Sequence, residues 1–194
     1  MSRNRRHQDH FGRRAKAEGK PARSVYKLEE IDQRWHLLRK GANVLDLGCA
    51  PGSWLQYAAE RVGPGGRVTG YDLKPLSISL PAHAEVAVGD VFGVQLRAEA
   101  YDVVLSDMAP STMGHHKTDA TRSAVLAERA LDLADGHLKA GGHVVVKVLE
   151  GGEVMGLVKR MRSSYTKVER LRPQATRKES TELFLIGLSK KPPP

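Results

Sequence analysis

The chain has 194 residues, 40% of them hydrophobic, and a formal net charge of +9 at neutral pH. This length and composition predict one globular domain with its own core, and the charge favours a polyanionic partner such as nucleic acid or an anionic membrane surface. The sequence contains no run of about 18 apolar residues and no apolar segment of a secretory signal, so we expect a soluble cytoplasmic protein. Cys49 is the single cysteine, which excludes an internal disulfide.

The first 23 residues are predicted to form a basic arm, because they contain eight lysine and arginine residues against two acidic residues. Basic segments of this kind contact nucleic-acid phosphates, so we expect a flexible arm that binds RNA. The arginines expected to make these contacts are Arg3, Arg5, Arg6, Arg13 and Arg14. A solvated tail and an organellar transit peptide are the alternatives. Asp9 and Glu18 argue against a transit peptide, since such peptides contain few acidic residues.

Residues 24–38 are predicted to form a helix that Ser24 caps and that carries Lys27 in its first turn. The apolar side chains that recur there at helical spacing are Val25, Leu28, Ile31, Trp35 and Leu38.

From residue 43 onward, short apolar runs alternate with helical patterns, an order typical of βαβ units and a parallel sheet. The predicted strands are NVLDLG, RVTGYD, AEVAVGD, YDVVLSD, HVVVKV, KVERLR and ELFLIGL. The longest helix is expected from Asp119 to about Lys139, ended by Gly141 and Gly142. We therefore predict an α/β fold with a mostly parallel seven-stranded sheet and helices on both faces. It forms a single domain over residues 24–190, followed by a frayed tail at residues 191–194.

The stretch VLDLGCAPGSW, residues 44–54, joins the first predicted strand to a helix through a turn rich in small residues. Gly48 and Gly52 allow the backbone to approach a ligand, and Pro51 stiffens the turn between them. In open α/β sheets, ligands bind at the carboxyl ends of the strands where the strand order reverses, and this turn is expected there. The glycine spacing is G-x-x-x-G instead of G-x-G-x-x-G, which argues against a dinucleotide such as NAD.

Two acidic residues follow at the ends of the next two predicted strands. Asp72 is placed to accept hydrogen bonds from ribose hydroxyls. Asp90 is placed to accept a bond from an adenine amine, with Val91 covering the ring. The turn and the two acids, in this order, predict a site for S-adenosylmethionine, a methyl donor. The alternative is that both acids are ordinary residues at strand ends.

The segment after the fourth predicted strand, SDMAP, indicates which atom accepts the methyl group. Amino-group methyltransferases usually carry an Asn/Asp-Pro-Pro-aromatic stretch at this place, and SDMAP contains no aromatic residue. Methylation of pyrimidine C5 requires a cysteine nucleophile, and Cys49 lies within the donor turn instead. Of the three kinds of methyl acceptor, a hydroxyl group is therefore the predicted one.

Lys147 follows three valines on a presumed central strand, and a buried lysine there is unusual. Together with the donor-binding pattern, this lysine makes the chain resemble the FtsJ/RrmJ family of RNA ribose 2′-O-methyltransferases. The motifs that carry the resemblance are VYKLEEI, VLDLGCAPGSW, LSDMAP, KAGGHVVVKV and ESTELFLIG.

The resemblance implies a Rossmann-like fold that binds S-adenosylmethionine, and a set of catalytic and donor-binding residues. The catalytic set falls on Lys27, Asp107, Lys147 and Glu182. The family's donor contacts fall on Gly52, Trp54, Asp72, Asp90 and Asp107, and the turn and strand ends add Gly48, Pro51 and Val91. The implied substrate is ribosomal RNA in the large ribosomal subunit, methylated at a uridine of 23S RNA by a monomeric enzyme.

Several alternatives stay open at this stage. Lys147 either removes the proton of the hydroxyl or only positions the hydroxyl. The competing functions are those of a family member that acts on transfer RNA or a messenger cap, a catalytically silent RNA-binding protein, and an NAD-dependent oxidoreductase.

A second basic group between Lys159 and Lys178 is predicted to contact RNA, with a solvated face as the alternative. The pair His115 and His116 has no third ligand at a suitable spacing, so no metal site is predicted.

Overall fold

The computed structural model describes residues 3–94, 96, 100–111 and 114–192, with side chains from residue 10 onward. Its helices and strands are α1 (Arg3–Ala17), α2 (Val25–Trp35), β1 (Asn43–Leu47), α3 (Ser53–Val62), β2 (Arg67–Asp72), β3 (Ala84–Val88), β4 (Tyr101–Ser106), α4 (His116–His137), β5 (Leu138–Leu149), α5 (Val154–Ser164), β6 (Tyr165–Leu171) and β7 (Glu182–Lys190). All seven predicted strands are present. No helix in the described part of the chain is long and apolar enough to cross a membrane.

The strands form one sheet in the order β3-β2-β1-β4-β5-β7-β6. Strands β1 to β5 are parallel, and β7 runs antiparallel to both β5 and β6. This arrangement confirms the predicted Rossmann-like α/β fold with a mostly parallel sheet. The strand order reverses between β1 and β4, so the turn after β1 lies at the switch point where such folds bind ligands.

Helices cover both faces of the sheet, and the alternation of side chains along a strand decides which face each residue joins. In β5, Val144 and Val146 pack with residues of α4 and α5, whereas Val145 packs with residues of α2 and α3. Burial of both faces explains why the strands are nearly continuous apolar runs. Lys147 has the same parity as Val145, so the alternation directs it toward the face that α2 covers.

The boundary between α4 and β5 differs from the prediction. The helix ends at His137 and β5 begins at Leu138, so Gly141 and Gly142 lie within the strand and do not end the helix. Gly141 has a φ of 81°, and the register between β4 and β5 shifts between Tyr101 and Val103. A glycine is needed there because the left-handed conformation accommodates this irregularity in the pairing.

The N-terminal arm contains helix α1, which differs from the flexible segment that the sequence predicts. Ala15 is buried in a small cluster with Tyr26, and the Arg14 guanidinium lies 4.3 Å from the centre of the Tyr26 ring. The Tyr26 hydroxyl donates a hydrogen bond to Glu18 at 2.9 Å. These contacts fix the second half of α1 against the start of α2. The side chains of Arg3, Arg5 and Arg6 lie outside the described residues.

Asp32 of α2 fixes this helix to its neighbours, although its side chain is buried. One carboxylate oxygen accepts a hydrogen bond from the backbone N–H of Leu38 at 2.9 Å. The other accepts bonds from the Tyr57 hydroxyl at 3.1 Å and from Nε of Arg61 at 3.0 Å, both on α3. Burial of a carboxylate is tolerated when several donors satisfy it. Asp32 therefore sets the position of α2, which also carries Lys27.

We expect Asp32→Ala to lower the free energy of unfolding by about 3 kcal/mol, because a charge-assisted network is lost and the buried backbone N–H of Leu38 keeps no acceptor on Asp32. Gln33→Ala is the control, since Gln33 is exposed on the same helix and its replacement is expected to cost less than about 0.5 kcal/mol. Urea unfolding followed by circular dichroism measures both values. Equal values for the two substitutions would contradict the structural role of Asp32.

Candidate active site

A cavity of about 480 Å³ opens at the carboxyl ends of β1, β2 and β4. The predicted donor-binding residues that line it are Gly48, Asp72, Asp90, Val91 and Asp107. The structure thus brings together residues from the turn after β1, the ends of β2 and β4, and the segment after β3. Pro51, Gly52 and Trp54 are not among its described lining residues.

Gly48 shapes the wall of the cavity next to β4. Its φ is 76°, and a Cβ atom added there would lie 2.7 Å from Cγ and 3.0 Å from Cα of Met108. Its N–H donates a hydrogen bond to the carbonyl of Tyr71 at 2.8 Å. Only glycine combines this backbone conformation with this close approach, so the turn stays tight against the sheet.

Asp72 and Asp90 present carboxylates to the cavity from the ends of neighbouring strands. Asp72 accepts bonds from the backbone N–H groups of Ala50 at 2.8 Å and Lys74 at 2.9 Å, one on each oxygen. Asp90 accepts a bond from the backbone N–H of Phe92 at 3.0 Å. A carboxylate has about four lone-pair sites, so both groups can accept further bonds from a ligand. Their local bonds fix their orientation before a ligand arrives.

Apolar side chains beside these acids complete the cavity, and the sequence analysis missed them. Leu73 is 70% exposed and Phe92 is 52% exposed, and both line the cavity together with Met108. Large apolar groups at the rim of a polar cavity indicate a ligand with an apolar or aromatic part. The signal was available in the sequence, since Leu73 and Phe92 follow directly after the predicted ligand-binding positions.

Asp46 in β1 is a second residue that the predicted site set lacks. It is 0% exposed, and neither carboxylate oxygen has a hydrogen-bond partner among the described residues. Burial raises the pKa of Asp46 well above its ordinary value, and the negative charges of Asp107 and Asp72 raise it further. An acid within an apolar run was the signal. Asp46 is not among the described residues that line the cavity, so its unpaired oxygens lie in the protein interior.

Lys147 and Asp107 form the first ion pair of the site. The Lys147 ammonium donates to Oδ1 of Asp107 at 2.9 Å and to the Asp107 backbone carbonyl at 2.6 Å. The pairing follows from the sheet, because Ser106 and Val146 are register partners in β4 and β5 and the two charged residues come next. Asp107 also lines the cavity, so this pair connects the cavity to the rest of the charged group.

Lys27 and Glu182 form the second ion pair, with 2.5 Å between Nζ and Oε1. Burial alone would raise the pKa of Glu182, but the charge and hydrogen bond of Lys27 and the charge of Lys147 lower it below its ordinary value. Glu182 therefore remains ionised at neutral pH. Because both lysines act on this carboxylate, the two ion pairs form one network of the four residues that the resemblance implies.

The network is suited to act on a neutral polar group. Its two ammonium groups and two carboxylates balance in charge, so it has no excess charge that would select an ionic acceptor. An ammonium has three N–H donors, and the recorded bonds of Lys147 to Asp107 use two. A third N–H remains for a further acceptor, next to a carboxylate that faces the cavity.

The three predicted donor residues outside the lining have other surroundings. Gly52 has a φ of 105°, and a Cβ atom there would collide with Ile78, so glycine is required for packing of the turn. Pro51 is exposed. Trp54 is 2% exposed, and its indole N–H donates to the backbone carbonyl of Ser24 at 2.8 Å.

Cys49 has surroundings that oppose a nucleophilic role. The thiol is buried beneath the donor turn, and burial raises its pKa, to which the negative charges of Asp46 and Asp72 add. A nucleophilic cysteine needs a thiolate, which positive neighbours and exposure favour. The residue therefore serves as a small packing group in the turn.

The second basic group is divided between internal contacts and free surface. Arg160 donates to Asp132 and Asp135, each at 2.7 Å. Arg172 donates to the backbone carbonyls of Lys178 at 3.0 Å and Ser180 at 2.5 Å. Arg172 thereby holds the loop that leads to Glu182, so part of this basic group makes internal contacts although it is exposed.

The chain matches the family described as FtsJ-like methyltransferase over residues 21–190. A relative from Desulfosudis oleivorans named ribosomal RNA large subunit methyltransferase E is 48% identical over 188 residues, which cover 94% of this chain and 91% of that protein.

Two solved structures share the fold. A Plasmodium falciparum protein described as a ribosomal RNA methyltransferase superposes with a TM-score of 0.76 at 22% identity, over 88% of this chain and 98% of that chain. Human methyltransferase-like protein 13 in complex with SAH gives 0.62 at 14% identity, over 84% and 82% of the two chains. The match over residues 21–190 and the relative that is 48% identical show the family of this chain from its sequence. The chain belongs to the FtsJ-like methyltransferase family.

Proposed function

We propose that the protein transfers the methyl group of S-adenosylmethionine to a ribose 2′-hydroxyl of RNA, at a uridine of 23S ribosomal RNA. The observation that carries the proposal is the position of Asp107, which lines the cavity and also binds Lys147. One carboxylate thus joins a cavity suited to a nucleoside to a charged network suited to a hydroxyl. Relatives named for large-subunit ribosomal RNA support the choice of substrate.

The residues around the cavity fit the parts of S-adenosylmethionine. Asp72 would accept bonds from its ribose hydroxyls, and Asp90 would accept a bond from its adenine amine. Val91 and the exposed Phe92 would cover the two sides of the base. The amino acid part of the ligand would lie against the turn at Gly48, which lines the cavity. When bound, this ligand supplies an electrophilic methyl group next to a positively charged sulfur.

The charged network would orient the acceptor. A ribose hydroxyl is a poor nucleophile, so a neighbouring group must hold it and accept or direct its proton. Lys147 reaches the cavity edge through Asp107, and both can hydrogen-bond the hydroxyl. Lys27 and Glu182 hold the position of these two residues from the side of α2 and β7. The proposal leaves Lys147 as either the proton acceptor or the positioning group.

The RNA would approach over the basic N-terminal helix. Arg14 and Tyr26 anchor α1 next to Lys27, so the exposed Arg13 lies close to the start of α2. We include Arg3, Arg5, Arg6, Arg13 and Arg14 in the proposal as RNA contacts. We also propose that the enzyme is a monomer and that it acts in the cytoplasm, where large ribosomal subunits are assembled.

Asp72→Ala and Asp90→Ala are each expected to weaken binding of S-adenosylmethionine at least about 10-fold, since each removes a charge-assisted acceptor. The loss at Asp72 is expected to be the larger, because its carboxylate also holds the N–H groups of Ala50 and Lys74. Isothermal titration calorimetry measures the affinities. Asp132→Ala is the control, because Asp132 is exposed on α4 and pairs with Arg160. Unchanged affinity in both cavity variants would mean that the donor site lies elsewhere.

Lys147→Ala and Lys147→Arg are both expected to lower methyl transfer more than about 10²-fold while donor and RNA binding persist. Arginine keeps the positive charge, but its planar guanidinium cannot take the place of the compact ammonium that binds Asp107 at two points. Arginine also stays protonated at neutral pH, so it cannot accept a proton from the hydroxyl. Single turnovers with labelled donor and large ribosomal subunits from cells that lack the protein measure the step, and the product is mapped to one ribose.

Lys139→Ala is the matched control for these variants, because Lys139 pairs with Asp102 at the opposite end of the sheet. Near-normal turnover of Lys147→Arg would show that only charge is needed and would move the proton acceptor to another group. Wild-type protein that labels transfer RNA but not large subunits would contradict the proposed substrate.

Replacement of Arg3, Arg5 and Arg6 by glutamine is expected to weaken RNA binding and to flatten its salt dependence. The slope of log affinity against log salt concentration should fall by about 2 to 3, since each lost phosphate contact removes about 0.7 to 0.9. Deletion of α1 is a poorer test because it would uncover Tyr26 and its neighbours. Arg39, Lys40 and Lys139, exposed at the other end of the sheet, provide a control with the same loss of charge. Equal slopes for the two triple variants would leave α1 without a role in RNA binding.

A further inference from the structure

The side chain of Trp54 points away from the cavity and toward the backbone that carries Lys27. Trp54 is the second residue of α3, directly after the donor turn. Its indole N–H donates to the backbone carbonyl of Ser24 at 2.8 Å, and the same carbonyl accepts the backbone N–H of Lys27 at 3.0 Å. One oxygen atom therefore links the indole to the backbone of a charged residue of the site.

Trp54 adds a bond from another helix at the start of α2, where the first backbone N–H groups already bond to the carbonyls of Ala22, Arg23 and Ser24. The sequence predicts that Ser24 caps the helix, but the Ser24 side chain makes no capping bond, and its φ and ψ are −60° and −21°. A capping residue is normally extended and uses its side-chain oxygen to hold the first turn. Here Trp54 holds the first turn by a bond from another helix.

A second contact of Trp54 lies beneath both lysines of the network. Its ring packs against Phe184, with 5.5 Å between ring centres and 33° between ring planes. Phe184 is fully buried and is the register partner of Lys147. Nζ of Lys27 lies 5.8 Å from the centre of the Phe184 ring. The Phe184 ring thus contacts the Trp54 ring and lies close to the Lys27 ammonium, on the residue that pairs with Lys147 in the sheet.

We propose that Trp54 is a positioning residue, whose side chain holds Lys27 in its pair with Glu182 and makes no contact with the methyl donor. This inference rests on the proposed function, since the network it supports is the one assigned to methyl transfer. The indole N–H fixes the first turn of α2, and the ring fixes Phe184 below it. The residue next to the donor turn thereby couples the donor side of the site to the acceptor side.

The test separates the hydrogen bond from the packing. Trp54→Phe removes the N–H and part of the ring, and β-(3-benzothienyl)alanine at position 54 removes the N–H while it keeps the two-ring shape. Both are expected to lower the single-turnover rate constant about 3- to 10-fold, the usual range for one lost hydrogen bond. Affinities for S-adenosylmethionine and for RNA are expected to stay within about 2-fold of wild type.

Trp35→Phe is the matched control, because Trp35 packs against the same hydrophobic cluster at the other end of α2. It is expected to leave the rate constant unchanged. Hydrogen exchange of peptides that cover residues 24–31 provides a readout that needs no activity. Exchange there should rise in both Trp54 variants and not in the control.

The outcomes separate the two proposals. Wild-type protein without ribose methylation would contradict the proposed function, whereas the exchange measurement would still test the link from Trp54 to α2. A donor affinity that falls as much as the rate constant would make Trp54 a donor contact and would overturn the inference. An unchanged rate constant in the benzothienyl variant of an active enzyme would also overturn it.

Discussion

The ion pair between Lys147 and Asp107 is the interaction on which the arrangement of the site depends. Lys147 lies on a strand that is buried on both faces, and an ammonium without a partner in such surroundings costs several kcal/mol. A partner can come from the end of β4 because β4 and β5 are adjacent and parallel. The charge is therefore compensated at the carboxyl edge of the sheet, which is also where the cavity lies.

The second pair extends this constraint to parts of the chain that are distant in sequence. Lys27 comes from α2 and Glu182 from β7. The positive charges of Lys27 and Lys147 both lower the pKa of Glu182. Loss of one member leaves its partner buried and uncompensated, which is more costly than loss of the whole pair. Each residue of the network thus has a structural function beside the chemical one proposed for it.

The fold was largely predictable because helices cover both faces of the sheet, which produces the continuous apolar runs that mark the strands. The ordered acids Asp72 and Asp90 were predictable for a similar reason, since the ends of neighbouring parallel strands meet at one edge. Helix α1 was not, because few of its side chains are apolar and its docking depends on Tyr26 of another helix. The direction of the Trp54 side chain was not predictable either. Its hydrogen-bond acceptor is the backbone carbonyl of Ser24, and every residue type has such a carbonyl.

Strand β7, antiparallel between β5 and β6, completes the charged network late during synthesis of the chain. It is the last strand among the described residues, and it supplies Glu182 and Phe184 to a network whose Lys27 lies more than 150 residues earlier. Contacts between such distant residues form late, because the entropy of closing a long loop must be overcome first. A growing chain on the ribosome can have its donor turn and β1 to β5 in place and still lack the charged network. A chain that has not been extended through β7 lacks Glu182 and Phe184, and it therefore lacks the complete charged network.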